Sequence, residues 1–158
     1  MKYLVVGYGA REYAMAKRLK EEGHKIDCFL TKPNSELARL AKSHTLGKGT
    51  DIQDMIRFAK RVKTDCIVIG NEQPLFEGLV DLAGENGIPA YGPKKSAARL
   101  EWDKQFAKER VLEIYPELVG RFEVFSNLND AVKHLKGRQN ASVVKSGNVE
   151  GGKGVVVL

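Results

Sequence analysis

The residues Tyr3-Leu4-Val5-Val6-Gly7-Tyr8-Gly9-Ala10-Arg11-Glu12 decide the fold of this chain. This stretch begins with an apolar run that is followed directly by Gly7, which predicts a first strand over residues 3–6. A helical pattern follows over residues 11–22 and stops at Gly23. The next strand is predicted over residues 25–30. The chain therefore opens with a strand, a glycine-containing turn, a helix and another strand.

The same alternation continues as far as residue 92. Further strands are predicted at residues 44–46, 66–69 and 88–91. The helices between them are predicted to begin near Ser35 as an N-cap, at Asp51 as an N-cap, and at Pro74, the last running to Gly87. Strands that alternate with helices imply right-handed crossovers, so we predict an α/β fold with a doubly wound parallel sheet of the Rossmann-like kind.

Ligands on such sheets bind at the carboxyl ends of the strands. This rule selects three segments as candidates for binding. We name them the first loop (residues 7–12), the second loop (residues 70–75) and the third loop (residues 92–95).

The composition changes after Gly92, and we predict one domain over residues 1–92 and the start of another over residues 93–158. Helices are predicted at 96–100, 103–115 and 127–136, and strands at 121–125, 141–145 and 155–158. The last two strands flank a loop rich in glycine and lysine, which suits close approach to a phosphate. Half an antiparallel sheet leaves an unpaired edge, so self-association through that edge is an expectation.

The net charge of +6 is spread along the chain without interleaved aromatic residues, so a nucleic-acid partner is not favoured. Binding of a phosphorylated small molecule is a simpler explanation of the surplus of positive charge. No apolar run has the length of a membrane span or of a signal-peptide core. Cys28 and Cys66 lie in apolar runs with no second cysteine or histidine nearby, which favours buried reduced thiols in a cytoplasmic protein.

Two familiar nucleotide motifs are incomplete here. Gly147 and Gly152-Lys153 have the spacing of a phosphate loop, but Gly154 stands where Ser or Thr should hold magnesium, and a strand follows instead of a helix. The first loop resembles a dinucleotide fingerprint, but its third glycine is replaced by Glu12. The first loop still suits a phosphate, because a helix N-terminus offers free N–H groups, and it is equally compatible with a tight turn that binds nothing.

Two further residues have open interpretations from position alone. Glu72 follows a buried strand, so its carboxylate either accepts hydrogen bonds from sugar hydroxyls or stabilises the N-terminus of the next helix. Lys104 lies in the first turn of a predicted helix, where a cation is mildly unfavourable unless an anion is near. A plain surface lysine is the alternative.

Taken together, the loops resemble the phosphoribosylamine–glycine ligase family of the ATP-grasp superfamily, over the whole chain. The resemblance is carried by these segments: Gly9-Ala10-Arg11-Glu12, Pro33-Asn34, Gly70-Asn71-Glu72-Gln73-Pro74-Leu75, residues 92–101 with Asp103-Lys104, residues 143–145, and residues 151–157. It implies a Rossmann-like domain followed by the incomplete start of an ATP-grasp domain.

The resemblance also implies a reaction. ATP phosphorylates the carboxylate of glycine, and the amine of phosphoribosylamine attacks the acyl phosphate to give glycinamide ribonucleotide in purine biosynthesis. The residues that would contact ATP are Lys104, Lys145, Gly151, Gly152, Lys153 and Gly154. Those on the phosphoribosylamine side would be Gly9, Arg11, Glu12, Glu72, Pro74 and Leu75. No catalytic residue is assigned, and the magnesium ligands are expected outside this chain.

The chain departs from the family pattern at three places. The usual Gly-Gly-Arg-Glu-His is here Gly9-Ala10-Arg11-Glu12-Tyr13, and the commoner Gly-Pro-Glu is Gly70-Asn71-Glu72. A complete family member is also far longer, so we expect an N-terminal fragment, or half of a split enzyme, that makes no product alone. Two alternatives stay open: another ATP-grasp ligase or carboxylase, and a non-catalytic module that binds a nucleotide or phosphosugar.

Overall fold

The computed structural model describes residues 1–137, 142–147 and 154–158. The chain divides into two compact units, residues 1–98 and 99–158, and each is described by itself. The domain boundary predicted after residue 92 stays a prediction. No helix in the described part of the chain combines the length and apolar character needed to cross a membrane.

The first unit is built on a five-stranded sheet in which every pair of neighbouring strands is parallel. Its strands are β1 (Lys2–Gly7), β2 (Lys25–Leu30), β3 (Ser43–Leu46), β4 (Cys66–Ile69) and β5 (Ala90–Tyr91). They are ordered β3-β2-β1-β4-β5, so the order reverses at β1. The predicted doubly wound α/β fold is therefore confirmed.

Helices cover both faces of this sheet. They are α1 (Ala10–Glu21), α2 (Ser35–Leu40), α3 (Ile52–Val62), α4 (Glu72–Glu77) and α5 (Leu79–Glu85), with α6 (Lys95–Trp102) after β5. Alternate residues of β1 face the two layers: Val5 packs in one core cluster with Ala16 of α1, and Val6 packs in the other with Met55 of α3. Burial of these alternating apolar side chains on two faces stabilises the unit.

Two predictions about helices in this unit were wrong. The N-cap of α2 is Asn34, not Ser35, because the Asn34 side chain accepts the N–H groups of Glu36 and Leu37, both at 3.0 Å. The helix predicted from Pro74 to Gly87 is two helices, which meet at Gly78. Gly78 has a φ of +95°, a conformation that a helix interior cannot contain and that glycine adopts without a Cβ clash.

The second unit contains α7 (Lys104–Ile114), a 3-10 turn (Pro116–Leu118), α8 (Leu128–Lys136), β6 (Val143–Lys145) and β7 (Val155–Val157). The predicted cap of α7 is confirmed, since Asp103 Oδ1 accepts the N–H of Phe106 at 2.9 Å. The two strands pair with each other in antiparallel register, as predicted.

The strand predicted over residues 121–125 was wrong, because these described residues form no strand. Their alternation of apolar and polar side chains suits a strand, but a strand also needs a neighbour for its backbone groups. The two strands of this unit satisfy each other instead.

Candidate functional site

Glu12 is the last residue of the first loop. It occupies the first turn of α1 and is only 3% exposed. Its Oε2 accepts the N–H of Tyr8 at 3.2 Å and also the N–H of Gly9, the residue that caps α1. The carboxylate therefore satisfies the N–H of the N-cap Gly9, one of the donors that a helix N-terminus leaves free, and the N–H of the residue before it.

Two glycines from neighbouring strands make the room for this side chain. A Cβ on Gly7 would lie 2.5 Å from Cγ of Glu12, and a Cβ on Gly70 would overlap Oε1 of Glu12. Gly7 also has a φ of +139°, which L-residues with side chains rarely adopt. The end of β1 and the residue that follows β4 are thus shaped around one buried carboxylate.

Arg11 joins the first loop to the second. Its Nη1 donates to the carbonyl oxygen of Gly70 at 2.6 Å, and its Nη2 donates to Oε1 of Glu72 at 3.0 Å. The side chains of Arg11 and Glu72 are 60% and 37% exposed, so both remain accessible to a ligand at this edge. The structure therefore brings together two residues that the sequence analysis placed in separate loops.

Asn34, which was not among the predicted site residues, connects a further loop to this group. Its Nδ2 donates to the carbonyl oxygen of Tyr8 at 2.7 Å while its Oδ1 caps α2. The ammonium of Lys32 lies 4.7 Å from the centroid of the Tyr8 ring. The available sequence signal was the preference for asparagine immediately before a helix.

Pro74 and Leu75 lie in α4 with both side chains buried. Leu75 is 8% exposed and belongs to the hydrophobic core. A Cβ on Gly92 would lie 2.8 Å from Cδ2 of Leu75, so the third loop packs closely on this helix. The buried side chains of these two residues anchor the end of the second loop, while Glu72 in the same loop is partly exposed.

A cleft of about 560 Å³ lies elsewhere in the first unit. Its lining includes Ile52, Leu82 and the acidic residues Glu77, Asp81 and Glu85. It also includes Lys95 of the third loop, but none of the residues predicted to contact ATP or phosphoribosylamine. The candidate site is therefore defined by the side chains that converge on the sheet edge, and not by this cleft.

In the second unit, Lys104 is the first residue of α7. Asp103, which precedes it, also accepts two hydrogen bonds from the Arg99 guanidinium, at 3.1 and 3.0 Å. The N–H of Phe106 and the Arg99 guanidinium both lower the pKa of the Asp103 carboxyl. Asp103 therefore stays ionised at neutral pH and fixes the start of the helix that carries Lys104.

Lys145 is the last residue of β6 and pairs in register with Val155. The N–H of Ser146 donates to the carbonyl oxygen of Gly154 at 2.8 Å, which holds the two ends of the hairpin loop together. The other predicted loop residues, Gly151, Gly152 and Lys153, lie outside the described residues. Within the described ranges, no group of three or more His, Cys, Asp or Glu side chains is placed to hold a metal ion.

Comparison with known protein families gives one match over most of the chain. A family described as "Phosphoribosylglycinamide synthetase, N domain" matches residues 1–101. The matched range contains every residue of the first, second and third loops.

Individual proteins extend the similarity to the whole chain. The phosphoribosylamine–glycine ligases of Methanopyrus kandleri and Methanocaldococcus jannaschii are 38% and 40% identical to it over its full length. The chain spans 36% and 37% of the length of these two relatives. A solved phosphoribosylamine–glycine ligase from Thermotoga maritima has the same fold, with a TM-score of 0.74 at 24% identity, and covers 100% of this chain with 36% of its own.

Proposed function

The chain belongs to the family of phosphoribosylglycinamide synthetase N domains, and we propose that it supplies the phosphoribosylamine-binding part of a phosphoribosylamine–glycine ligase. In the proposed reaction, glycine is first activated as an acyl phosphate by ATP. The amine of phosphoribosylamine then forms a bond to the acyl carbon, the C–O bond to phosphate breaks, and inorganic phosphate leaves. The products are glycinamide ribonucleotide, ADP and phosphate.

The observation that carries this proposal is the contact between Arg11 and Glu72 at the carboxyl edge of the sheet. A carboxylate accepts hydrogen bonds from the hydroxyl groups of a sugar, and Glu72 has accessible surface for them. Arg11 holds Glu72 in one orientation and contributes a positive charge to the same edge. Together they suit the ribose of a phosphorylated sugar amine.

The other residues assigned to this side have supporting positions. Gly9 donates its N–H to Glu12, which keeps the first loop in one conformation. Pro74 and Leu75 form the buried support of α4, from which Glu72 projects. We propose that Glu12, Pro74 and Leu75 position the ligand-contacting residues.

For the second unit we propose contacts to ATP from Lys104 and Lys145, and from the hairpin loop at Gly151, Gly152, Lys153 and Gly154. A lysine ammonium suits phosphate oxygens, and glycine lets the backbone approach them. When bound, ATP supplies the phosphoryl group that activates the glycine carboxylate. Magnesium would accompany ATP. Its ligands would come from the part of the relatives' polypeptide that this chain does not span.

Two further expectations remain proposals. The six residues of β6 and β7 are all exposed, which is compatible with self-association through an open strand edge. The cytoplasm, where the substrates of such a ligase would be made, stays the proposed location.

The proposal is tested in a fusion protein that joins this chain to the part of a relative for which the chain has no counterpart. We would fuse residues 1–158 to the remaining polypeptide of the Methanopyrus kandleri ligase and measure phosphate release that depends on both glycine and phosphoribosylamine. We expect turnover by the fusion and none by the chain alone. Glu72→Gln in the fusion should lower kcat/KM for phosphoribosylamine about tenfold or more, the loss of one charged hydrogen bond.

A matched control is Glu22→Gln, because Glu22, the C-cap of α1, forms an exposed ion pair with Arg18 at 2.9 Å. This control should keep the kinetics of the fusion unchanged. A folded fusion that binds ATP but releases no phosphate in the presence of both substrates would contradict the proposal and favour a non-catalytic binding module.

A further inference from the structure

The turn between β1 and α1 has the setting of a dinucleotide-binding site. It joins a buried strand to a helix of 12 residues, and the next strand pairs with the first in parallel. The first two glycines of the fingerprint are present as Gly7 and Gly9. In dinucleotide-binding proteins, the pyrophosphate sits at this helix N-terminus and accepts its free N–H groups. Only the third glycine position, occupied by Glu12, breaks the pattern.

Glu12 takes the role that an anion would have in such a turn. Its carboxylate accepts the N–H groups of Tyr8 and Gly9, so these donors are already occupied within the protein. A negative charge is also stabilised at a helix N-terminus by the helix dipole. A second anion at the same point would meet both the charge of Glu12 and the loss of its backbone donors.

The surroundings of Glu12 enclose its side chain. At 3% exposure the side chain is enclosed, and the absence of a Cβ at Gly7 and at Gly70 provides the space that it fills. If the Glu12 side chain turned outwards, it would leave a cavity where β1 and β4 end. The N–H groups of Tyr8 and Gly9 would also lose their acceptor. Glu12 is thus a built component of the turn and not a surface side chain that a ligand could displace.

We infer that Glu12 determines specificity by excluding a pyrophosphate, and hence a dinucleotide, from the N-terminus of α1. It does so as an internal anion. The sheet edge is then left to a ligand that is bound through side chains such as Arg11 and Glu72. Exclusion of a pyrophosphate from this turn does not depend on the proposed reaction.

The test compares the wild-type chain with Glu12→Gly, Glu12→Ala and Glu12→Gln. The probe is inorganic pyrophosphate, and the readout is the chemical shift of the Tyr8 and Gly9 backbone amides in ¹H–¹⁵N spectra, which localises binding to this turn. Circular dichroism confirms that each variant is folded. Glu12→Gln is the matched control, because its amide oxygen can still accept the two N–H groups.

In the wild type and in Glu12→Gln, we expect no saturable shift of the two amides. In Glu12→Gly and Glu12→Ala, both amides should shift saturably at pyrophosphate concentrations about tenfold or more below the highest one that leaves the wild type unchanged, because two donors to a phosphate become available. Saturable shifts in the wild type would overturn the inference even if no variant folds. Folded Glu12→Gly and Glu12→Ala proteins whose two amides ignore pyrophosphate would overturn it as well.

Discussion

Arg11 Nη2 donates to Oε1 of Glu72 at 3.0 Å, although 61 residues separate the two in sequence. The contact connects the first turn of α1 with the first residue of α4. Both helices begin at the carboxyl edge of the sheet, after β1 and β4, which are neighbours. The fold thus converts two distant loops into one polar group whose members remain accessible.

Replacing Glu72 should affect binding and not stability. Exposed ion pairs contribute about 0–1 kcal/mol, so Glu72→Gln should leave the free energy of unfolding nearly unchanged. Arg11→Gln also removes the hydrogen bond to the carbonyl oxygen of Gly70 and should cost about 1 kcal/mol more. In the fusion that carries the remaining polypeptide, each change should raise the KM for phosphoribosylamine about tenfold. Urea unfolding and steady-state kinetics check the two halves separately. A large loss of stability in both variants would show that the pair is structural.

Asn34 should stabilise the first unit through two separate contacts. Asn34→Asp keeps the cap of α2 but loses the donor to the Tyr8 carbonyl, and we expect a cost of about 1 kcal/mol. Asn34→Ala loses both and should cost about 2 kcal/mol. The matched control is Ser35→Ala, which removes a neighbouring polar side chain that does not cap the helix. Equal unfolding midpoints for Ser35→Ala and Asn34→Ala would contradict the assignment of the cap.

Features set by local sequence were the ones that could be predicted. Strands β2 and β4 have the predicted bounds. β4 is a continuous apolar run followed by Gly70, and β2 ends in the apolar residues Cys28, Phe29 and Leu30. The caps at Asp51 and Asp103 were also predicted, since a cap involves only residues within one turn. The parallel sheet followed from the alternation of these elements.

Features that depend on tertiary contacts were missed. The apolar spacing of Leu75, Leu79 and Leu82 continues across Gly78, so periodicity alone could not indicate that the helix is broken there. The pairing of Arg11 with Glu72 was equally hidden, because the rule for parallel sheets places both loops at one edge without specifying their contacts. Burial of Glu12 depends on Gly70, which is distant in sequence.

Two glycines should respond in opposite ways to a methyl group. Gly70→Ala puts a Cβ onto the buried Glu12 carboxylate and should destabilise the first unit by about 1–3 kcal/mol. Gly84→Ala places its Cβ in open space on α5 and should stabilise by about 0.5–1 kcal/mol, because alanine loses less entropy in a helix. Unfolding in urea measures both. A stabilising Gly70→Ala would show that the space around Glu12 is not tightly filled.

The two thiols should differ in reactivity. Burial, with a smaller contribution from the charge of Asp27, raises the pKa of Cys28 to about 12. Burial also raises the pKa of Cys66, which is only partly enclosed. A thiol reagent at pH 8 should therefore modify Cys66 first, and Cys28 only when the protein unfolds. Mass spectrometry of the labelled peptides identifies the order, and rapid labelling of Cys28 in the folded chain would contradict it.

The start of α7 should weaken in acid because of Asp103. Hydrogen bonds from the N–H of Phe106 and from Arg99 hold the pKa of its carboxyl below the ordinary 3.8 in the folded state. A carboxyl with a lowered folded pKa stabilises the protein fully above its unfolded pKa, and this contribution disappears as the pH falls through the folded pKa.

The difference in unfolding midpoint between the wild type and Asp103→Ala should therefore be constant from neutral pH down to about pH 5 and shrink below pH 3.8. Asp103→Ser separates the two contacts, because serine can cap α7 but cannot pair with Arg99. Asp103→Ser should therefore have a higher unfolding midpoint than Asp103→Ala, and the difference between these two variants should not depend on pH. A difference for Asp103→Ala that stays the same from pH 7 to pH 2.5 would mean that the ionised carboxylate does not fix the helix on which Lys104 lies.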